Sequence, residues 1–257
     1  MRHPSARSDG RGDLKAAGLH WLLIGNSRWH WAVRQGNRPL QGWSESLEAG
    51  AARLQALAPD QLVAWAAVGR VPEPLLMQWL ALRRVTAAHV PLVDAPPWLG
   101  VDRALAGWGA WHQSGGSPVL VADAGTALSL TRVDGGGRFA GGRLLAGAGL
   151  QLRALGQSTV ALPALSPGAL VEGLAGGDWP AATEQAIAVG VVRGLVAALL
   201  MAACELEQLG QPPPMLWLTG GDGPLLAPLL QQGGKPWRLA PDLVLDALVA
   251  LRPGPDP

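Results

Sequence analysis

Three short apolar runs along the chain each end in glycine and hydroxyl residues. In the central one, Val119–Val121 lead into residues 123–126 (DAGT), and apolar positions resume at Leu128. Turn chemistry follows at residues 134–137 (DGGG). The pattern predicts a β-hairpin whose turn is this glycine run, with the acid-glycine-threonine group at the bend of its first strand.

A related unit lies earlier in the chain. Leu22–Ile24 are apolar, residues 25–27 (GNS) have turn chemistry, and Trp29, Trp31 and Val33 occupy alternate positions after them. Glycine lets a backbone approach a ligand closely, and a hydroxyl can donate to an anion. Two such hairpins that face each other across a cleft can hold the phosphates of one nucleotide through backbone N–H groups.

The third run ends at residues 218–222 (LTGGD), and a helix-like apolar run follows from Leu225 to Leu230. The paired glycines Gly220 and Gly221 allow the backbone to lie flat against a planar base. Close packing of the chain explains the same glycines equally well, so the sequence leaves both interpretations open.

Periodicity predicts further elements, which together suit a mixed sheet covered by helices. In the helix predicted at 74–84, Leu75, Leu76, Trp79 and Leu82 are expected to face inward. The expected helices span 45–58, 74–84, 102–111, 150–155 and 242–251, and the expected strands span 62–68 and 87–93.

Composition excludes several classes of function. The chain has 257 residues, enough for one large domain or two, and its 49% hydrophobic content is typical of a globular protein. A net charge of +1 gives no electrostatic reason to expect nucleic acid or an anionic membrane as the main partner. Cys204 is the only cysteine and the histidines form no metal-binding pair, so neither disulfides nor a structural transition metal are expected, which fits a reducing cytoplasm.

Two segments need an interpretation of their own. Residues 1–18 are polar and lack an apolar signal region, which indicates a disordered leader or a start codon placed too early. Residues 187–204 are almost wholly apolar, but Arg193 disfavours a membrane span. A buried or dimer-forming helix with close contacts at Gly190 and Gly194 is favoured instead. Residues 253–257 are expected to form a loose tail.

Residues 100–103 (GVDR) follow a proline-containing approach and open the helix predicted from Asp102. In isolation, an acid at this place only complements the helix dipole, and Arg103 is solvated.

Taken in order, the motifs resemble those of type III pantothenate kinases, a family of the acetate and sugar kinase/Hsp70/actin superfamily. The ordered set spans most of the chain, although each motif alone is weakly specific. The matching residues are IGNS at 24–27, LGVDR at 99–103, DAGTA at 123–127, FAGGRLLAG at 139–147, LP at 162–163, Thr183 before AIAVG at 186–190, and LTGGD at 218–222.

The resemblance implies an α/β fold with two ribonuclease H-like domains, each holding a mixed five-stranded sheet with helices. Residues 113–118 (QSGGSP) are the best candidate for a linker, so the expected domains are 19–115 and 116–252. The implied activity is ATP-dependent phosphorylation of the hydroxyl of pantothenate to 4'-phosphopantothenate, the first step toward coenzyme A, by a cytoplasmic homodimer.

The resemblance also implies roles for single residues. Asp102 would be the general base that takes the proton of the alcohol, and Arg103 would clamp the substrate carboxylate. Asp123 would hold a monovalent cation, K⁺ or NH₄⁺, and assist Mg²⁺. The other implied contacts are Gly100, Val101 and Thr183 to the substrate, Ile24, Gly25, Asn26, Ser27 and Thr126 to the phosphates of ATP, and Gly220 and Gly221 to its nucleoside, with Thr183 near the subunit interface.

The first phosphate motif departs from the family pattern at two charged positions. The family has Asp-x-Gly-Asn-Thr followed by a lysine, whereas this chain has Leu23 at the metal-side acid and His30 at the lysine. Ser27 keeps the hydroxyl of the threonine. Two alternatives to the kinase therefore stay open: a non-catalytic homologue that acts as a regulatory or binding protein, and another small-molecule kinase of the superfamily.

Overall fold

The computed structural model describes residues 18–36, 38–208 and 213–254. Its described part contains a four-stranded sheet with the order β3-β2-β1-β4 and a five-stranded sheet with the order β7-β6-β5-β8-β9. The strands are β1 (Leu19–Ile24), β2 (Trp29–Arg34), β3 (Gln41–Glu45), β4 (Leu62–Ala67), β5 (Val119–Ala124), β6 (Ala127–Val133), β7 (Phe139–Ala146), β8 (Met215–Thr219) and β9 (Trp237–Leu239). The α-helices are α1 (Leu47–Ala56), α2 (Gln78–Ala81), α3 (Val101–Gln113), α4 (Ala148–Ser158), α5 (Ala169–Leu174), α6 (Thr183–Gln208), α7 (Gly223–Gln232) and α8 (Leu243–Leu251).

The first sheet begins with the expected hairpin. β1 pairs antiparallel with β2 and parallel with β4, and β2 pairs antiparallel with β3. Trp21 to Ile24 of β1 are all buried, on both faces of the sheet, because helices cover a central strand from both sides. Ser46 caps α1 by accepting a hydrogen bond from the N–H of Ala49.

Two predictions for the next segment are wrong. Residues 87–93 form no strand; Ala87–His89 are a short 3₁₀ turn closed by a hydrogen bond from the Thr86 N–H to His89 Nδ1, and Pro91 cannot donate to a neighbouring strand. Only one isolated bridge, between Trp65 and Arg84, extends β4 at this edge, so the first sheet has four strands instead of five.

The helix expected at 74–84 is also broken. A 3₁₀ turn at Glu73–Leu76 precedes the four-residue α2. Leu75 is buried, but Leu76 and Leu82 are exposed, contrary to the expectation that they face inward. The side chain of Trp79, also expected to face inward, lies outside the described part of the structure.

The second sheet corrects the predicted position of one turn. β5 and β6 pair antiparallel with Asp123 opposite Ser129, so Gly125 and Thr126 are themselves the turn of a hairpin. Residues 134–137 instead form the next turn, between β6 and β7, where Asp134 Oδ1 accepts hydrogen bonds from two backbone N–H groups. β8 and β9 then join β5 in parallel, as expected for strands that are followed by helices.

Helices α3 and α8 lie between the two sheets and give them a common core. α3 contacts β4, β5 and β6, while α8 contacts α3, β1, β2 and β4. Residues from both sheets and both helices share one apolar cluster, among them Trp21, Leu105, Val121, Trp217 and Leu248. The predicted domain boundaries, 19–115 and 116–252, stay a prediction, since α8 packs on the first sheet although it lies in the second half of the chain.

Helix α6 is the long apolar element expected at 187–204. Among the described residues, α6 is the one helix that is long and apolar enough to cross a membrane. Its most apolar window has a mean hydropathy of 2.3. More than half of that window, 56%, is buried inside the protein, which is also typical of the core helix of a soluble protein. Most of the predicted leader at 1–18 and residues 255–257 of the tail lie outside the described part of the chain.

Candidate active site

The turns of two hairpins from different sheets meet at one point. Ser27 Oγ, in the β1–β2 turn, lies 2.7 Å from Thr126 Oγ1, in the β5–β6 turn, although the two residues are 99 positions apart in sequence. Either hydroxyl can be the donor of this hydrogen bond. Both turns follow central strands, so the shared core beneath them brings the two hydroxyls together.

The first turn is tight, and glycines at positions 25 and 69 leave room for its backbone. The Gly25 N–H donates to the Arg28 carbonyl at 3.0 Å, and a β-carbon at position 25 would lie only 2.7 Å from that oxygen. Behind the turn, a β-carbon at Gly69 would lie 2.2 Å from the Gly25 carbonyl oxygen. Asn26 and Ser27 are exposed at its tip, where their N–H groups and the Asn26 side chain can approach a ligand.

The second turn is enclosed by backbone from two other segments. The Gly147 N–H donates to the Thr126 carbonyl at 3.1 Å, and a β-carbon on Gly147 would lie 2.1 Å from the Gly125 carbonyl oxygen. Gly220 has a φ of +88°, and its β-carbon would lie 2.5 Å from both the Ala124 carbonyl oxygen and Asp123 Oδ1. The glycine pair after β8 therefore lies against the end of β5.

Asp123 and Asp102 are two carboxylates of this same site. Asp123 stands between Ser129 of β6 and Thr219 of β8 in the strand register. Burial, and to a smaller extent the charge of Asp102, raise the pKa of Asp123 to about 7. A cation beside Asp123 would remove this penalty, and a hard cation is the type that carboxylate oxygens prefer.

The described residues offer no dedicated metal cage. No group of three or more histidine, cysteine, aspartate or glutamate side chains among them could hold an ion. One or two carboxylates with phosphate oxygens and water are, however, the usual ligands of Mg²⁺ at nucleotide sites. The carboxylate of Asp123 fits that arrangement.

Asp102 lies in the first turn of α3, where its carboxylate is held by its own backbone. The Arg103 N–H donates to Asp102 Oδ1 at 2.8 Å, and a β-carbon at Gly100 would lie 2.6 Å from the same oxygen. Glycine at position 100 therefore leaves the space that this rotamer needs. Burial raises the pKa of Asp102, and the hydrogen bond from Arg103 partly opposes that shift.

Arg103 is a buried cation, with 9% of its surface exposed. Its Nε donates to Thr131 Oγ1 at 3.4 Å, and its guanidinium carbon lies 6.0 Å from the centre of the Phe139 ring. Burial lowers its pKa, while the charge of Asp102 opposes that shift. No carboxylate among the described residues forms an ion pair with it, so its terminal nitrogens can bind an anionic ligand.

The remaining predicted residues occupy different places. Ile24 and Val101 are buried in the cores beneath the site, while Gly221 is exposed beside Gly220. Thr183 is the exposed first residue of α6, and no described hydrogen bond joins it to the other predicted site residues.

The sequence analysis did not identify Gly69, Ser129 or Thr131 as residues of the site. For Ser129 and Thr131, the alternation of hydroxyls along β6 was the available signal.

The two departures in the first motif face each other. Leu23 and His30 are direct partners in the β1–β2 register, and Leu23 is buried in the core shared by the two sheets. Burial lowers the pKa of His30, whose Nδ1 lies 2.8 Å from Ser44 Oγ.

A cavity of about 720 Å³ opens beside the start of α3. Its walls come from residues 84–101 and from the end of β4, and they include Gly100 and Val101. Most of its lining side chains are apolar, and Arg84, Thr86 and Asp94 are its polar side chains. Its size and its position beside Asp102 suit a small organic molecule.

Known proteins match this chain over most of its length. The profile of the type III pantothenate kinase family matches residues 73–203. A type III pantothenate kinase from Synechococcus elongatus is 41% identical over 221 residues, covering 81% of this chain and 86% of the relative. One from Synechocystis sp. is 36% identical over 249 residues, covering 92% and 91%. The chain belongs to the type III pantothenate kinase family.

The fold comparison agrees with that assignment. A Campylobacter jejuni protein described as a conserved Baf family transcriptional activator superposes with a TM-score of 0.57 at 17% identity, covering 91% of this chain and 96% of that one. At this identity, the likeness shows the fold alone. The solved structures that superpose at this level support the α/β fold with two sheets that the sequence predicts.

The two glycines after β8 give a matched test of the site geometry. Gly220→Ala should destabilise the protein by about 1–3 kcal/mol and weaken nucleotide binding, because the new methyl group meets Asp123 and the residue has a positive φ. Gly221→Ala is the control for stability, since nothing lies within 4 Å of its added β-carbon. Thermal unfolding checks both variants, and calorimetric titration with Mg-ADP checks Gly220→Ala; equal losses of stability in the two variants would contradict this role of Gly220.

Proposed function

We propose that the protein transfers the terminal phosphoryl group of ATP to the primary hydroxyl of pantothenate, forming 4'-phosphopantothenate in the first step of coenzyme A synthesis. The observation that carries the proposal is the contact between Ser27 and Thr126, which joins two phosphate-binding turns at one point. Membership of the type III pantothenate kinase family supports the choice of substrate.

The residues of the site have complementary roles in this reaction. Backbone N–H groups at Gly25, Asn26 and Ser27, with the hydroxyl of Thr126, hold the phosphates, and Gly220 and Gly221 lie along the nucleoside. Asp123 would help to hold a Mg²⁺ ion, which would supply positive charge to neutralise the phosphates during transfer. Asp102 accepts the proton of the substrate hydroxyl as its oxygen attacks phosphorus.

The substrate lies beside the start of α3. Arg103 binds its carboxylate, because a buried guanidinium without an ion-pair partner gains most from an anion. Gly100 and Val101 line the cavity beside Asp102, which provides room for the rest of a small molecule. Thr183 contacts the substrate from the start of α6.

Asp123 holds a monovalent cation, K⁺ or NH₄⁺. The support for this role is that burial raises the pKa of Asp123, so that a cation bound beside it would stabilise the charged carboxylate.

The protein acts as a cytoplasmic homodimer built on α6. Residues Gly190, Gly194, Ala197 and Met201 are exposed at helical spacing along this otherwise buried helix. Nothing lies within 4 Å of a β-carbon added at Gly190 or Gly194, so a second helix can approach closely there.

Replacing the general base tests the enzyme directly. Asp102→Asn should lower kcat by about 100-fold or more, because amide nitrogen cannot accept the proton of the alcohol. The readout is a coupled assay with pantothenate, Mg-ATP and K⁺. Asp60→Asn is the control, because Asp60 is an exposed acid far along the chain from the predicted site residues. Pantothenate binding without turnover in the unmodified protein would instead favour the regulatory alternative, and turnover only of another alcohol would favour a different small-molecule kinase.

The same assay has an expected pH dependence. A base works only when deprotonated, and burial raises the pKa of Asp102. The rate should therefore be full at high pH and fall as the pH drops through a value above that of an ordinary aspartate. An unchanged rate down to the ordinary aspartate range would contradict this assignment.

The cation role predicts a dependence on ion type. Turnover should be higher in K⁺ or NH₄⁺ than in an equal concentration of a tetraalkylammonium salt, and Asp123→Asn should remove that difference. Steady-state rates across a salt series measure it. A wild-type rate that is the same in both salts would contradict a monovalent cation at Asp123.

The dimer proposal predicts the effect of bulk on α6. Gly194→Arg should produce monomers, since a long charged side chain cannot fit between two closely packed helices. Gln55→Arg on the exposed face of α1 is the control for added charge. Sedimentation analysis distinguishes the states; a monomeric wild type would contradict the proposal.

A further inference from the structure

We propose that Thr131 is a positioning residue for the substrate, which acts by fixing the orientation of the Arg103 guanidinium. This inference rests on the proposed function, because it assigns to Arg103 the binding of the substrate carboxylate. Thr131 lies in β6, in the sheet opposite the helix that carries Arg103, and its side chain belongs to no motif that the sequence identifies.

The contact between the two side chains is buried. Thr131 is 1% exposed, and its Oγ1 accepts the hydrogen bond from Arg103 Nε at 3.4 Å. This is the one hydrogen bond that the Arg103 side chain makes within the described residues. Because Nε is the inner nitrogen of the guanidinium, a bond at this atom restrains rotation of the group while both terminal nitrogens stay available for a bidentate ligand.

The neighbouring strand completes the support for Arg103. Thr131 pairs with Gly142 in the β6–β7 register, and a β-carbon on Gly142 would lie 2.5 Å from an Arg103 terminal nitrogen. Any larger residue at 142 would therefore occupy the place of the guanidinium. The Phe139 ring lies 6.0 Å from the guanidinium carbon, within the range of a cation–π contact.

The electrostatic state of Arg103 explains why orientation matters here. The buried guanidinium has no carboxylate partner among the described residues at ion-pair distance, and burial lowers its pKa. A free side chain of this length would have many rotamers and would lose that freedom on binding. A guanidinium held in place beforehand binds a planar carboxylate without this cost.

The test uses an isosteric variant. Thr131→Val keeps the volume but removes the acceptor, and it should raise KM for pantothenate about tenfold. The KM for ATP should change little, because the phosphate turns do not contact Thr131. Thr131→Ser, which restores the acceptor, should restore KM. A purely structural role would instead lower the melting temperature and affect both substrates.

A double-mutant cycle with Arg103 separates the two roles further. If Thr131 acts through Arg103, Thr131→Val should have no additional effect on pantothenate KM in an Arg103→Ala background, provided that turnover stays measurable. Direct calorimetric binding of pantothenate replaces KM if turnover is too slow. Equal effects of Thr131→Val in both backgrounds would overturn the inference.

The outcomes also separate this inference from the proposed function. An unmodified protein that neither binds nor phosphorylates pantothenate would overturn both. A protein that phosphorylates pantothenate, with a KM unchanged by Thr131→Val, would overturn the role of Thr131 alone and leave the kinase intact.

Discussion

The contact between Ser27 and Thr126 depends on the core that the two sheets share. Each hydroxyl lies in a turn at the carboxyl end of a central strand, β1 or β5, and the positions of those strands are fixed by α3 and α8 between the sheets. The first turn of the same α3 carries Asp102. A single packed layer therefore places both candidate phosphate-binding turns and the candidate base, and a shift within it would displace them together.

The site is electrostatically unfavourable without ligands. Burial disfavours the charged forms of Asp102, Asp123 and Arg103, and no ion pair among the described residues neutralises the two aspartates or the arginine. A cation would stabilise charge on the aspartates, and a carboxylate would stabilise the arginine. Such fixed charges, held by the fold before a ligand arrives, are those that act most strongly on a developing transition state.

The sequence predicted the local units well where a pattern is short and repeated. The β1–β2 hairpin, β8 with its glycine pair, and the helix that starts near Asp102 each follow from an apolar run with turn chemistry at its end. The repeated motif raises two facing hairpins as one possible arrangement, but only the resemblance predicts that Ser27 and Thr126 meet, because no local pattern encodes how two sheets pack.

The errors in prediction also come from contacts that no local pattern encodes. Residues 87–93 are apolar enough for a strand, yet Thr86 and His89 satisfy each other's hydrogen bonds and no full strand pairing forms. Gly69 is essential only because the Gly25 carbonyl lies against it, a contact between segments that are distant in sequence. Thr131 likewise gains its meaning from Arg103, on another element.

The departures at Leu23 and His30 lie side by side in the structure, so they act on the same local environment. The two residues are opposite each other in the β1–β2 register, so the family's acid and lysine would also face each other there. Loss of the acid alone would make the local net charge more positive, and loss of the lysine alone would make it more negative. Because burial disfavours the charged form of His30 and Leu23 is apolar, the pair changes from two opposite charges to two neutral groups, and the net charge is preserved. This balance, together with intact turns at Ser27 and Thr126, fits a working kinase better than a homologue that has lost its chemistry.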